Sequence, residues 1–248
     1  MWPIFHKFGS PPWLYAIAGS ILRWLLPITL LALVTGAVWG LLFTQPERIQ
    51  GNSYRIIYIH VPAAVVALAG YYVMALAGAV SLIWRMKMAD VAMKAAAPVG
   101  AAFTFIALVT GAVWGKPTWG TWWVWDARIT SMLILFFLYL GVVALYEAFD
   151  NKEAASKACA VLSLVGTVNI PIIYKSVDWW HALHQGATIK FTGESSIHSS
   201  MLWPLLLMIG AFYALFTCCL LLNMRAELLQ RESRTQWVKK LVNKAGSP

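Results

Sequence analysis

Charge is what this chain has least of. Only 12% of its 248 residues are Asp, Glu, Lys or Arg, against roughly 25% in an ordinary soluble domain. Too little polar surface is available to cover a globule in water, so a soluble fold is excluded. No separate soluble domain is present either, which confines function to a membrane interior or its faces. No phosphate-binding loop occurs. The nearest pattern, Gly111 followed by Gly115, Lys116 and Pro117, is one residue short and has Pro where Ser or Thr is needed. The chain therefore has no nucleotide site of its own, and no hydrolytic constellation stands out. Cysteine is scarce. Cys159, Cys218 and Cys219 all fall in apolar runs, and the adjacent pair reads as small packing residues rather than a redox couple.

What the chain has in abundance is apolar sequence: 60% of residues are hydrophobic and the mean hydropathy is +0.68. In lipid a helix satisfies its own backbone hydrogen bonds. The expected fold is all-α, a single membrane domain with a bundle of six transmembrane helices. The spans are placed at 23–44, 58–84, 95–114, 129–149, 158–174 and 200–223, each near the about 20 residues that a hydrocarbon core requires. A cleavable signal peptide is not expected, because Pro3, Pro11 and Pro12 interrupt the first segment. The net charge of +9 is read as an orientation signal rather than as a sign of nucleic-acid binding. With the N-terminus inside, thirteen Lys and Arg fall on the cytoplasmic side and six outside. Both termini are thus expected in the cytoplasm. The basic run Arg225–Lys244 is either an amphipathic segment lying on lipid or a solvated tail.

An identical octapeptide, L-V-T-G-A-V-W-G, occurs at Leu33–Gly40 and Leu108–Gly115. Each copy carries small residues four apart, Gly36/Gly40 and Gly111/Gly115, which allow close helix approach in lipid. This predicts two related hairpins, spans one–two and three–four, packing through these glycines.

The unusual chemistry gathers in the outer loops. Trp114, Trp119, Trp122, Trp123 and Trp125 fall within W-G-K-P-T-W-G-T-W-W-V-W-D, Trp114–Asp126. An interfacial aromatic belt accounts poorly for five indoles in one short loop. Pro117 and Thr118 suggest the start of a short helix, with Trp119, Trp122 and Trp123 on one face as an apolar platform. Asp126 is placed to cap the fourth span. His60 stands at the outer rim of span two, beside Pro62. His184 stands in the last outer loop, with His181 three residues before it. Two neutral imidazoles can take both axial positions of a haem iron, whereas two strong ligands without clustered cysteines or carboxylates are too few for a bare zinc site. With no C-x-x-C-H, such a haem is not tethered covalently here. Arg55 and Arg128 face the same side. Each is either a partner for haem propionates or an ordinary helix-end arginine.

W-G-x-x-x-W-G-x-W-W-x-W-D followed by A-R resembles the tryptophan-rich signature, the WWD domain, of the CcmC family of bacterial cytochrome c biogenesis. The resemblance extends over the whole chain. It implies a protein of the bacterial inner membrane that holds haem b non-covalently, as cargo, at the periplasmic face. The family's axial histidines map onto His60 and, through the H-Q-G pattern, His184 rather than His181. The Trp114–Arg128 segment would hold the macrocycle. The implied partners are the haem chaperone CcmE, which is loaded covalently, the ATP-binding cassette subunits CcmA and CcmB, and the small membrane subunit CcmD. The alternative is a haem exporter permease acting with that cassette pair. An electron-transfer cytochrome b is a further rival, although such proteins hold haem deeper between helices.

Overall fold

The computed structural model describes residues 9–180, 183–184 and 197–245. Helices α1 (Pro11–Val38), α2 (Ile57–Trp84), α3 (Lys87–Trp119), α4 (Ala127–Ala148), α5 (Lys152–Gly166), α6 (Asn169–Trp179), α7 (Ser199–Arg231) and α8 (Gln236–Ala245) follow in order. α1 continues as a π-helical turn, Trp39–Phe43, and a 3-10 turn, Ser53–Ile56, leads into α2. Six helices, with α5 and α6 forming one broken span, are long and apolar enough to cross a membrane. The fold is an all-α membrane bundle.

Several helices are longer than the apolar runs that mark them. α3 and α7 each have 33 residues, about 50 Å at 1.5 Å per residue, against a hydrocarbon core of about 30 Å. α1 begins at Pro11 rather than near residue 23, since a proline at the first helical position sacrifices no intrahelical hydrogen bond. α7 runs past residue 223 to Arg231 because its last two turns are held by ion pairs.

α2 and α3 form the centre. They pack along each other, and α7 lies against both as well as against α1. The hairpin expected from spans one and two is not formed: α1 packs on α7 instead. The repeat glycines do make close approaches, but to different partners. A Cβ at Gly36 would meet the Met208 side chain of α7, whereas Gly40 faces the ring of Tyr58 and Gly111 that of His60. Identical octapeptides thus serve unlike neighbours. Spans three and four do pack together.

Tyr58, Tyr71, Tyr139 and Leu135 are fully buried in the core. Tyr139 donates its hydroxyl to the Ala67 carbonyl at 2.8 Å, and its ring meets Tyr71 edge-on at 5.1 Å. Such a bond matters because lipid offers no water to satisfy a buried hydroxyl.

A second cluster ties α3, α4 and α7 together at the end remote from His60. Arg231 contacts Asp90 and Glu227 at 2.5 Å each, Lys94 reaches Glu227 at 3.0 Å, and Tyr146 donates to Asp90. α8 folds back so that Val238 is buried and Trp237 packs on Tyr15 of α1. The basic C-terminal run is therefore docked on the bundle along part of its length.

Candidate functional site

His60 lies in the first turn of α2, against α3. Its Nδ1 is 3.0 Å from the Ala107 carbonyl oxygen and 3.1 Å from Thr110 Oγ1. A carbonyl can only accept. Thr110 sends its own hydrogen to the Ile106 carbonyl at 2.6 Å, so towards His60 it accepts too. The proton must therefore sit on Nδ1, which leaves Nε2 with a bare lone pair, the form that binds metal. Gly111 makes room for this ring, since a Cβ there would come within 2.9 Å of His60 Cε1. The ring of Trp114 meets His60 edge-on at 5.7 Å, and Trp114 Nε1 donates to Gln50 at 2.8 Å.

The fifth span is interrupted between Gly166 and Asn169, and Asn169 is fastened to α4 by a 2.9 Å bond to the Ser131 carbonyl. Its second half, α6, precedes His184, which lines the same cleft as His60. The His184 ring packs against Trp119 with centroids 4.9 Å apart. Its Nδ1 lies 3.7 Å from Asp126 Oδ2, too far for a hydrogen bond, and neither atom has another partner among the described residues. Burial lowers the His184 pKa below its usual value, and Arg128 adds to this while Asp126 opposes it. The ring is accordingly neutral at pH 7, as a ligand must be.

Between the histidines the cleft is walled by Trp122, Trp123 and Arg128, with Ala64, Leu68 and Ile173 among its apolar lining. The tryptophan segment takes a different path from the short helix expected. α3 runs straight through Pro117 and stops at Gly120, whose φ of +77° belongs to the left-handed region. Glycine adopts that conformation without steric cost and is the commonest helix terminator. Pro117 lies within the last turn of α3 and does not begin a new helix. Trp119 ends α3, and Trp122 and Trp123 lie in non-helical chain. Asp126 then caps α4, its Oδ1 accepting from the Ile129 N–H at 2.8 Å.

The structure thus gathers His60, His184, Trp122, Trp123 and Arg128 around one cleft, with Trp114, Trp119 and Asp126 behind the imidazoles. Five expected members do not line it: besides those three, Arg55 and Trp125 stand apart. Arg55 is turned away to donate to the Thr44 carbonyl at 2.6 Å. Trp125 is 75% exposed and reaches the site indirectly, through its ring contact with Trp123. His181 lies outside the described residues. Sequence reading missed Thr110 and the Ala107 carbonyl, which orient His60. It also missed Ala64 and Leu68, although both follow His60 at four-residue spacing on one helix face.

A second, more open hollow lies across Trp114 from His60, bordered by Arg48, Gln50, His198 and Met201. It has one described histidine, so it lacks the opposed pair.

Comparison with known proteins agrees with this architecture. Residues 4–239 match the family model described as CcmC, heme exporter protein C. Heme exporter protein C of Escherichia coli strain K12 is 49% identical over 246 residues, 99% of both chains. The protein of that name from Haemophilus influenzae is 48% identical over 241 residues, 97% of this chain and 98% of its own length. The one from Bradyrhizobium diazoefficiens is 47% identical over 227 residues, 92% of this chain and 86% of its own. With the match running nearly end to end through the cleft and all six spans, the chain belongs to the CcmC family.

Proposed function

We propose that this protein handles haem for cytochrome c maturation, binding it through the imidazoles of His60 and His184. The observation that carries this reading is the pair of histidines on one apolar cleft, with His60 held in the tautomer that leaves Nε2 bare. Two neutral imidazoles suit a haem iron, the indoles of Trp122 and Trp123 suit the macrocycle, and Arg128 suits a propionate. As it stands the cleft is narrow. Entry of a flat disc requires outward movement of the tryptophan loop, which no helix holds between Gly120 and Asp126.

Under this reading the haem is haem b, carried as non-covalent cargo and presented at the periplasmic face of the inner membrane. Orientation is the contribution that the protein makes: a fixed ring plane sets which edge a partner's nucleophile meets. The partner is the chaperone CcmE, with CcmA, CcmB and CcmD completing the assembly, as family membership suggests. ATP hydrolysis falls to the cassette partner. The relatives' name also supports haem export, and vesicles with haem trapped inside test whether this chain moves it across.

The central test is the absorption spectrum of the purified protein, before and after reduction, for wild type, His60→Ala, His184→Ala and the double variant. The expected result is a low-spin spectrum with two nitrogen ligands that disappears in the single variants. Unchanged haem retention and chaperone loading in the double variant overturn axial ligation.

A further inference from the structure

We propose that Asp126 is a positioning residue for His184, taking its Nδ1–H through Oδ2 and making His184 the stronger of two unequal axial donors. This rests on the haem reading above. The key observation is a facing pair of orphans. His184 Nδ1 and Asp126 Oδ2 are both buried, neither has a hydrogen-bond partner among the described residues, and they stand 3.7 Å apart. Buried polar atoms are rarely left unpaired. A hydrogen bond between them requires the ring to move towards Oδ2.

The carboxylate is already aimed. Its other oxygen, Oδ1, is fixed by the Ile129 N–H at the start of α4, so one oxygen serves the helix and the other is left for the imidazole. Trp119 packs against the His184 ring and limits where it can go. A single side chain thus joins a helix cap to a metal-ligand orienter. Binding Oδ2 requires the proton on Nδ1 and frees Nε2 for iron.

The two histidines then differ in kind. His60 Nδ1 faces a carbonyl and a hydroxyl, both neutral. His184 Nδ1 faces a carboxylate. A carboxylate partner raises the basicity of a ligating imidazole, and a more electron-rich ligand favours ferric over ferrous iron. The asymmetry should therefore be visible in the iron's redox behaviour.

Asp126→Asn is the decisive variant, because Asn caps helices as well as Asp does and α4 keeps its start. The amide's single oxygen is needed at the cap. Its NH2 then points at His184 and demands an unprotonated Nδ1, the wrong tautomer for ligation through Nε2. The full-length protein is purified in detergent and titrated with haem, and its reduction potential is followed spectroscopically. The expected result is haem binding weakened about tenfold and a ferric-to-ferrous affinity ratio lowered about tenfold. The latter is an upward shift of about 59 mV for a one-electron couple. Thr110→Val, which alters a neutral partner of His60, should shift the potential by less.

An unchanged potential in Asp126→Asn overturns the proposal. So does an equal or larger shift in Thr110→Val. If Asp126→Asn fails to fold, Asp126→Ser, which also caps but carries no charge, is measured in its place with the same expected shifts. The two levels of inference separate cleanly. If His184→Ala keeps the wild-type spectrum, the axial reading fails. If His184→Ala loses that spectrum while Asp126→Asn keeps the wild-type potential, the proposal fails alone.

Discussion

Two clusters of polar groups in this bundle, one half-buried and one beside the cleft, are built on opposite terms. In one, Asp90, Lys94, Glu227, Arg231 and Tyr146 satisfy one another across three helices. In the other, His184 Nδ1, Asp126 Oδ2 and Trp123 Nε1 are buried beside an apolar cleft with no hydrogen-bond partner among the described residues. Two carboxylates against two cations need nothing further, and the first cluster fastens helix to helix. The second leaves polar atoms unpaired among the described residues, beside the cleft to which the proposed function assigns haem.

The comparison breaks most readily at the histidines. Replacing both His60 and His184 with Ala should abolish the low-spin haem spectrum while leaving helix content, read by circular dichroism, unchanged. The reverse pattern is expected for Asp90→Ala. Removing Asp90 leaves the half-buried Arg231 with Glu227 alone, a loss of about 1–3 kcal/mol. Thermal unfolding in detergent should show that loss, while the absorption spectrum of surviving haem-bound protein stays that of wild type. A changed haem spectrum in Asp90→Ala would mean that the two clusters are coupled.

Gly111→Ala sits between these cases. The added methyl group would approach His60 Cε1 within 2.9 Å, and crowding of this kind costs about 1–3 kcal/mol. Haem titration should show weaker retention, with helix content preserved. A smaller contrast separates the arginines. Arg128→Gln should lower haem affinity about tenfold, as expected for a charge-assisted contact. Arg55→Gln should change it far less, since that guanidinium is committed to the Thr44 carbonyl. The smallest effect belongs to Trp125→Ala, whose indole is mostly exposed. Its haem titration should overlay wild type, whereas Trp122→Ala should not.

The spans were legible because an unbroken run of about twenty apolar residues suits a membrane crossing and little else. Their ends were not, because helices outrun the hydrocarbon wherever local contacts reward it, as Arg231 does for α7. The histidines and the cleft-lining indoles stand out in sequence by residue type alone. Their supports do not. Thr110 is an ordinary helix threonine until His60 is seen to lean on it, and the Ala107 contribution is a backbone atom that no residue type reveals. Arg55 and Arg128 are alike as letters, and only the path of the chain between Thr44 and Ile57 separates them. The octapeptide misled for a related reason: matching segments promise matching surfaces, but their neighbours are set by the rest of the chain.

Gly120 carries a consequence in stereochemistry. Its φ is +77°, yet a Cβ there would meet nothing within 4 Å. Space is free, and handedness alone is what excludes an ordinary side chain. An L-alanine would cost about 1–2 kcal/mol by its chirality, and the mirror-image D-alanine would sit there without strain. The turn that sends Trp122 and Trp123 over the cleft is thus chosen by an achiral residue doing what a right-handed amino acid would do.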